Sequence, residues 1–121
     1  MSQAEQGALS GIKIADFSRV LAGPYATMLL GDFGADVVKV ERTGVGDEAR
    51  TWGPPFDAKG RATYFQSVNR NKNGLFLDLT KESDRAKARE LILSSDVVVE
   101  NFGFGGMAKF GLDYEIGRAH V

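Results

Sequence analysis

Two strand–helix–strand patterns, one after the other, constrain this chain more than any other feature of its sequence. Residues 12–17 (IKIADF) and 36–41 (DVVKVE) flank a helical pattern over 22–33, and residues 74–79 (GLFLDL) and 96–101 (DVVVEN) flank a second one over 81–94. The consecutive valines of the second and fourth runs predict strands covered on both faces. In the first helix Pro24 suits the opening turn, where its missing N–H costs nothing, and Gly34 suits the left-handed stop. Tyr25, Met28, Leu29 and Phe33 fall at i, i+3, i+4 and i+8 and predict the stripe that lies on the sheet. In the second helix Ala86, Ala88, Leu91 and Ile92 or Leu93 alternate with charges, the pattern of a solvent-faced amphipathic helix. Strands separated in this way pair in parallel through right-handed crossovers, so the expected fold is α/β: an open parallel sheet with helices on both faces. Residues 43–68 are rich in Gly, Pro and polar side chains and predict a long functional or mobile loop with one turn of helix.

Composition narrows the function classes. With 121 residues, 43% hydrophobic and 26% charged, the chain has the balance of one soluble globular domain. A formal net charge of −1 with no single-sign block argues against a nucleic-acid or membrane-surface partner, whose binding would rest on a basic face. There is no cysteine, which excludes disulfides and thiolate chemistry. Residues 1–10 form a polar tail with no apolar core of a signal peptide, and no apolar run is long enough to span a bilayer. The expected location is the cytoplasm. His120 stands alone near the end of the chain and carries no catalytic assignment, and no metal site is expected.

In an open parallel sheet, ligands bind where the strands end at their carboxyl edge. Those ends lead into Arg19 to Pro24, into Glu41, Arg42 and Gly44-Val45-Gly46-Asp47, into Leu77 to Thr80, and into Glu100 to Gly103. Small residues admit a ligand close to the backbone, Arg42 supplies a fixed positive charge, and Asn101 offers both a donor and an acceptor. Each has a structural alternative. Gly23 and Pro24 also serve a helix start, and Arg42 beside Glu41 also suits a solvated ion pair. Gly44-x-Gly46 lacks the third glycine of a dinucleotide fingerprint. Lys72 and Arg70, among Asn69, Asn71 and Asn73, suit an exposed turn, and Trp52 suits a packing residue. These residues alone support an α/β domain that binds an anionic small molecule.

Taken in order, the motifs are more specific. Gly11-x-x-x-x-Asp-Phe-Ser-x-Val-x-Ala-Gly-Pro24 is followed by Leu30-Gly-Asp-Phe-Gly-Ala-Asp-Val-Val-Lys-Val-Glu-Arg42 and Gly44-x-Gly46-Asp47. Next come Tyr64-Phe65, Asn69-Arg70-Asn71-Lys72, Leu77-Asp78-Leu79, Asp96 to Phe102, and Gly111-Leu112-Asp113-Tyr114. This succession resembles the opening of family III CoA-transferases, the CaiB/BaiF type, from Gly11 to about Glu115. The resemblance implies a Rossmann-like layer that binds CoA. It also implies transfer of CoA between an acyl-CoA and a carboxylic acid through an acyl-aspartyl anhydride and an enzyme thioester. It further implies an interlocked homodimer for the full-length protein, with coenzyme A or acyl-CoA as substrate and no tightly bound cofactor. Matching motifs place CoA contacts at Val20, Leu21, Ala22, Arg42, Leu77, Thr80, Asn101, Phe102, Gly103 and Lys109. Arg42, Lys109, Arg70 and Lys72 are the cations that could answer phosphate charge.

Several positions depart from the family pattern. Leu21 stands where some members carry a polar residue near the acyl group, which counts against a formate- or oxalate-type substrate. Asn73-Gly74 replaces Arg-Ser, and Phe104 replaces a common proline. The family's nucleophilic aspartate lies downstream of this segment, so no residue here is assigned as catalytic and the chain is expected to be inactive alone. An acyl-CoA racemase of the α-methylacyl type shares this opening, and a non-catalytic nucleotide-binding α/β domain remains the alternative from another class. The expected division is a tail over 1–10, a CoA-binding segment over 11–115, and a non-native end over 116–121. Those last six residues, IGRAHV, are what the string ATC GGA AGA GCA CAC GTC would encode, and that string resembles a short-read sequencing adapter.

Overall fold

The computed structural model describes residues 7–113. The expected end segment at 116–121 lies outside them. Four strands form one parallel sheet: β1 (Lys13–Asp16), β2 (Asp36–Arg42), β3 (Lys72–Leu77) and β4 (Val97–Val99), in the order β3-β2-β1-β4. Helix α1 (Ala22–Asp32) connects β1 to β2, and α3 (Glu82–Leu93) connects β3 to β4. The segment between β2 and β3 contains a 3-10 turn (Glu48–Thr51) and the short helix α2 (Thr63–Ser67), and α4 (Gly106–Lys109) follows β4. The expected α/β fold is therefore the observed one. The long loop holds two short helical pieces rather than one.

Helices pack on both faces, but the two faces differ in kind. Ala15 and Phe17 join Val40, Leu77, Ala88, Leu91, Ile92, Met107 and Leu112 in one apolar core beneath α3 and α4. The alternate residues face the other way, where Ile14, Ala35 and Val37 form a smaller cluster with Leu30 of α1. The register pairs Ile14 with Val37, Asp16 with Lys39, and Val37 with Lys72, so these side chains share the α1 face. That face buries charge: Asp16, Lys39 and Glu41 are all buried. The run DVVKVE thus alternates, where its valines alone had suggested a strand apolar on both faces.

Helix α1 turns inward only part of the stripe its apolar spacing predicts: Met28 is buried and Leu29 half-buried. Pro24, Thr27 and Met28 are its buried residues, while Tyr25 and Phe33 are exposed. The cause is close approach. A Cβ on Gly31 would lie 3.2 Å from the Asn71 carbonyl oxygen, and a Cβ on Gly23 would overlap the Ser18 side chain. The helix therefore lies on its small residues and on a threonine, and its large aromatics face outward. In α3 the expectation holds for Ala88, Leu91 and Ile92, which are buried, whereas Ala86 and Leu93 are exposed. Strand β3 begins two residues earlier than its apolar run, directly after Asn71 at φ 62°. It stops at Leu77 because Asp78 turns the chain: its carboxylate accepts from the Thr80 amide (3.0 Å) and hydroxyl.

Candidate functional site

Two buried ion pairs organise the carboxyl edge of the sheet. At the end of β1 the Asp16 carboxylate accepts from the Ser18 amide (2.9 Å), the Thr27 hydroxyl (2.6 Å) and the Ser18 hydroxyl, and lies 3.2 Å from the Lys72 ammonium. Lys72 Nζ also donates to the Pro24 carbonyl and to Asn69 Oδ1, each at 2.9 Å. Burial pushes the Lys72 ammonium below its ordinary pKa, and the Asp16 charge opposes that shift. Beside this pair, Lys39 Nζ stands 3.0 Å from Asp47 Oδ2 and donates to the Ser18 carbonyl at 3.0 Å. Asp47 accepts from the Ala49 amide (2.9 Å) and from the Val20 amide (3.2 Å to each oxygen). Burial alone would raise the Asp47 carboxyl, but the Ala49 amide and the Lys39 ammonium outweigh it and hold the group below the usual carboxylate range.

The third buried carboxylate, Glu41, is held by Arg50 through two guanidinium nitrogens, Nε at 2.7 Å and Nη2 at 2.9 Å. The Arg50 guanidinium lies 4.0 Å from the centre of the Phe65 ring, so α2 is tied to β2 through a stacked cation. Breaking a buried pair by removing one partner leaves an uncompensated charge, so such pairs enforce geometry strongly whatever their net stabilisation. Among the described residues, every buried side-chain nitrogen and oxygen has a partner.

A cleft of about 290 Å³ opens over the Lys39–Asp47 pair and Glu41. Phe17, Ser18 and Arg19 form its wall after β1, and Val40 to Arg42 with Val45 to Glu48 form the wall after β2. Leu77 to Thr80, Phe102 and Phe110 complete it. Of the residues assigned from the sequence, Arg42, Leu77, Thr80 and Phe102 line this cleft together. Arg42 is exposed, and its charge helps to lower the neighbouring Asp78 carboxyl, whose main cause of shift is the Thr80 hydroxyl.

The remaining assigned residues stand around the cleft rather than in its wall. Asn101 is engaged with the backbone: its Oδ1 accepts from the Arg19 amide (3.1 Å) and its Nδ2 donates to the Arg19 carbonyl (2.8 Å). It therefore shapes the loop of Val20, Leu21 and Ala22 that follows. Gly103 is exposed beside Phe102, and Lys109 is exposed beside Phe110. Two of the four cations assigned to phosphate are committed elsewhere. Arg70 pairs with Asp32 (2.7 Å), and the Lys72 ammonium is buried against Asp16 rather than exposed in a turn. The sequence placed Val45 at the exit of the second strand but did not point to Phe17 or Phe110 as apolar walls, nor to the Lys39–Asp47 pair. Lys39 and Glu41 inside a doubly covered strand were the available signal, because a buried charge requires a partner.

The sequence profile of CoA-transferase family III matches residues 9–120. A succinyl-CoA:glutarate CoA-transferase of Mus musculus is 50% identical over 107 residues, covering 88% of this chain and 24% of that protein. A succinyl-CoA:mesaconate CoA-transferase of Haloarcula hispanica is 52% identical over 118 residues, covering 94% of this chain and 29% of that protein. A solved CaiB/BaiF family protein from Brucella suis superposes with a TM-score of 0.89 at 46% identity, covering 95% of this chain and 31% of that one. This chain thus spans about a quarter to a third of the length of these relatives. Among the described residues no helix is long and apolar enough to cross a membrane. On the profile match and on its shared structure, the chain belongs to CoA-transferase family III.

Proposed function

We propose that this chain supplies the CoA-binding layer of an enzyme that moves CoA between an acyl-CoA and a carboxylic acid. The observation that carries this reading is the gathering of Arg42, Leu77, Thr80 and Phe102 around one cleft at the carboxyl edge of a parallel sheet, in a chain half identical to a named transferase. Apolar walls from Val45, Phe102 and Phe110 suit an aromatic base, and the exposed Arg42 guanidinium suits a phosphate. The Asn101 side chain, Leu21, Ala22, Gly103 and Lys109 shape or flank the path of the ligand. The mouse and Haloarcula hispanica relatives are named as transferases acting with succinyl-CoA, so the transferase reading stands ahead of the racemase, with succinyl-CoA as donor and a dicarboxylic acid as acceptor. The interlocked homodimer of the full-length protein and its cytoplasmic location belong to the same proposal.

Calorimetric titration of the chain with CoA, ATP and NAD tests the reading. CoA is expected to bind most tightly, and Arg42→Ala is expected to weaken it about tenfold, the scale of a charge-assisted hydrogen bond. The loss shrinks as salt is added, because part of it is charge–charge attraction. Equal affinity for all three ligands would favour a general nucleotide-binding domain, and an unchanged affinity in R42A would return Arg42 to a surface role.

A further inference from the structure

Val20 is the strained point of the candidate site. Its φ is 77°, where Cβ crowds the backbone and where a β-branched residue remains only if its surroundings impose the conformation. The other described non-glycine residue with positive φ is Asn71, a type that tolerates this region. Strain of this class biases an unrestrained chain roughly 5- to 150-fold toward relaxed conformers. Something must therefore hold Val20, and the contacts that do so are identifiable.

The loop between β1 and α1 is fixed residue by residue. The Ser18 carbonyl accepts from Lys39 Nζ (3.0 Å), and both backbone groups of Arg19 are bound by the Asn101 side chain. The Leu21 carbonyl accepts the Tyr25 amide at 2.8 Å, which begins α1. At Val20 itself the one bond to the amide comes from the Asp47 carboxylate, which reaches it with both oxygens. Asp47 is in turn fixed by the Lys39 ammonium and the Ala49 amide. Lys39 and Asp47 therefore grip the loop on both sides of Arg19.

We propose that the buried Lys39–Asp47 pair is a positioning clamp that holds Val20 in its left-handed conformation and so presents the 19–21 backbone to CoA. The proposal rests on the CoA-binding reading above. Lys39 and Asp47 act through the loop backbone. The charge they bury is what anchors a strained residue beside the ligand path.

The test compares the unmodified chain with Lys39→Met/Asp47→Ala, with Val20→Gly, and with the triple variant. Removing both charges together avoids leaving either one buried alone. Glycine reaches positive φ without strain, so it restores the conformation that the clamp had imposed. The clamp predicts that K39M/D47A weakens CoA binding by about tenfold or more, and that adding V20G recovers affinity to within about threefold of V20G alone. A purely structural pair would not be rescued by a glycine at position 20. Undiminished affinity in K39M/D47A, or no recovery in the triple variant, overturns the clamp.

V20G alone supplies a second measurement should K39M/D47A fail to fold. Relief of strain predicts a higher melting temperature, and a lower one overturns the proposal, since a relaxed site would register only glycine's entropy cost. If the unmodified chain does not bind CoA, the CoA reading falls. The melting temperature of V20G and the φ of residue 20 in crystals of K39M/D47A then decide the clamp by themselves. A residue that remains left-handed without the pair overturns it.

Discussion

Asp47 shows how much one side chain can be asked to do in this chain. It ends the loop after β2, caps the 3-10 turn through the Ala49 amide, pairs with Lys39 and holds Val20. Its carboxyl lies below the usual range because these donors outweigh burial. Asp32 is lowered chiefly by its Arg70 hydrogen bond, and Asp78 chiefly by the Thr80 hydroxyl. A carboxyl whose pKa is lower in the folded state contributes stability that is present above its unfolded value and lost as pH falls through its folded one. All three shifts have that sign. Thermal stability is therefore expected to be level from about pH 5 to neutrality and to fall below about pH 4. Melting curves across that range check it, and a melting temperature unchanged at pH 2.5 would mean that these carboxylates contribute nothing to the folded state.

Among the elements, α1 separates what the sequence disclosed from what it concealed. Its existence and limits followed from Pro24, Gly34 and the apolar spacing, and the parallel sheet followed from the two strand–helix–strand patterns. Its buried side followed only in part, because hydropathy cannot register the contacts that decide it: Thr27 donating to Asp16, Gly23 pressed against the Ser18 side chain, and Gly31 against the Asn71 carbonyl. The candidate site divides in the same way. Residues at strand ends were legible from topology, so Arg42, Leu77, Thr80 and Phe102 were found together. Asn101 also binds the Arg19 backbone across 82 residues of sequence, a pairing that no local pattern encodes. Gly23→Ala tests the close approach directly. Its methyl would meet Ser18 at Cβ and Oγ, beside the Asp16 network, where the backbone leaves little freedom to retreat. Overpacking of this kind costs about 1–3 kcal/mol. Chemical denaturation should show a lower midpoint with an unchanged slope, whereas a stability equal to that of the unmodified chain would mean that α1 shifts freely on the sheet.

At the scale of the whole molecule, the acidic side chains of the cleft are engaged with neighbours, which leaves none of them free to attack a ligand. Glu41, Asp47, Glu48 and Asp78 are the acidic side chains in its wall, and each is engaged: by Arg50, by Lys39, by Arg19 at 2.6 Å, and by Thr80. The exchange proposed for this family requires a carboxylate that attacks the thioester carbonyl and carries the acyl group as an anhydride, which divides one difficult step into two easier ones. A carboxylate held in an ion pair is a poor nucleophile, and one outside the correct geometry forfeits most of the advantage that positioning gives. The strands at the two sides of the sheet also carry exposed apolar residues, Phe76 on β3 and Val97 and Val98 on β4, so the described layer has surface suited to further packing. The 121-residue chain purified by itself is therefore expected to exchange no CoA. It would be offered succinyl-CoA with glutarate, mesaconate or oxalate, its folding verified by circular dichroism, and the products read as thioesters by mass spectrometry. Exchange above a protein-free control would place a catalytic group within these residues, and Glu41→Gln, Glu48→Gln and Asp78→Asn would then identify which carboxylate leaves its partner to react.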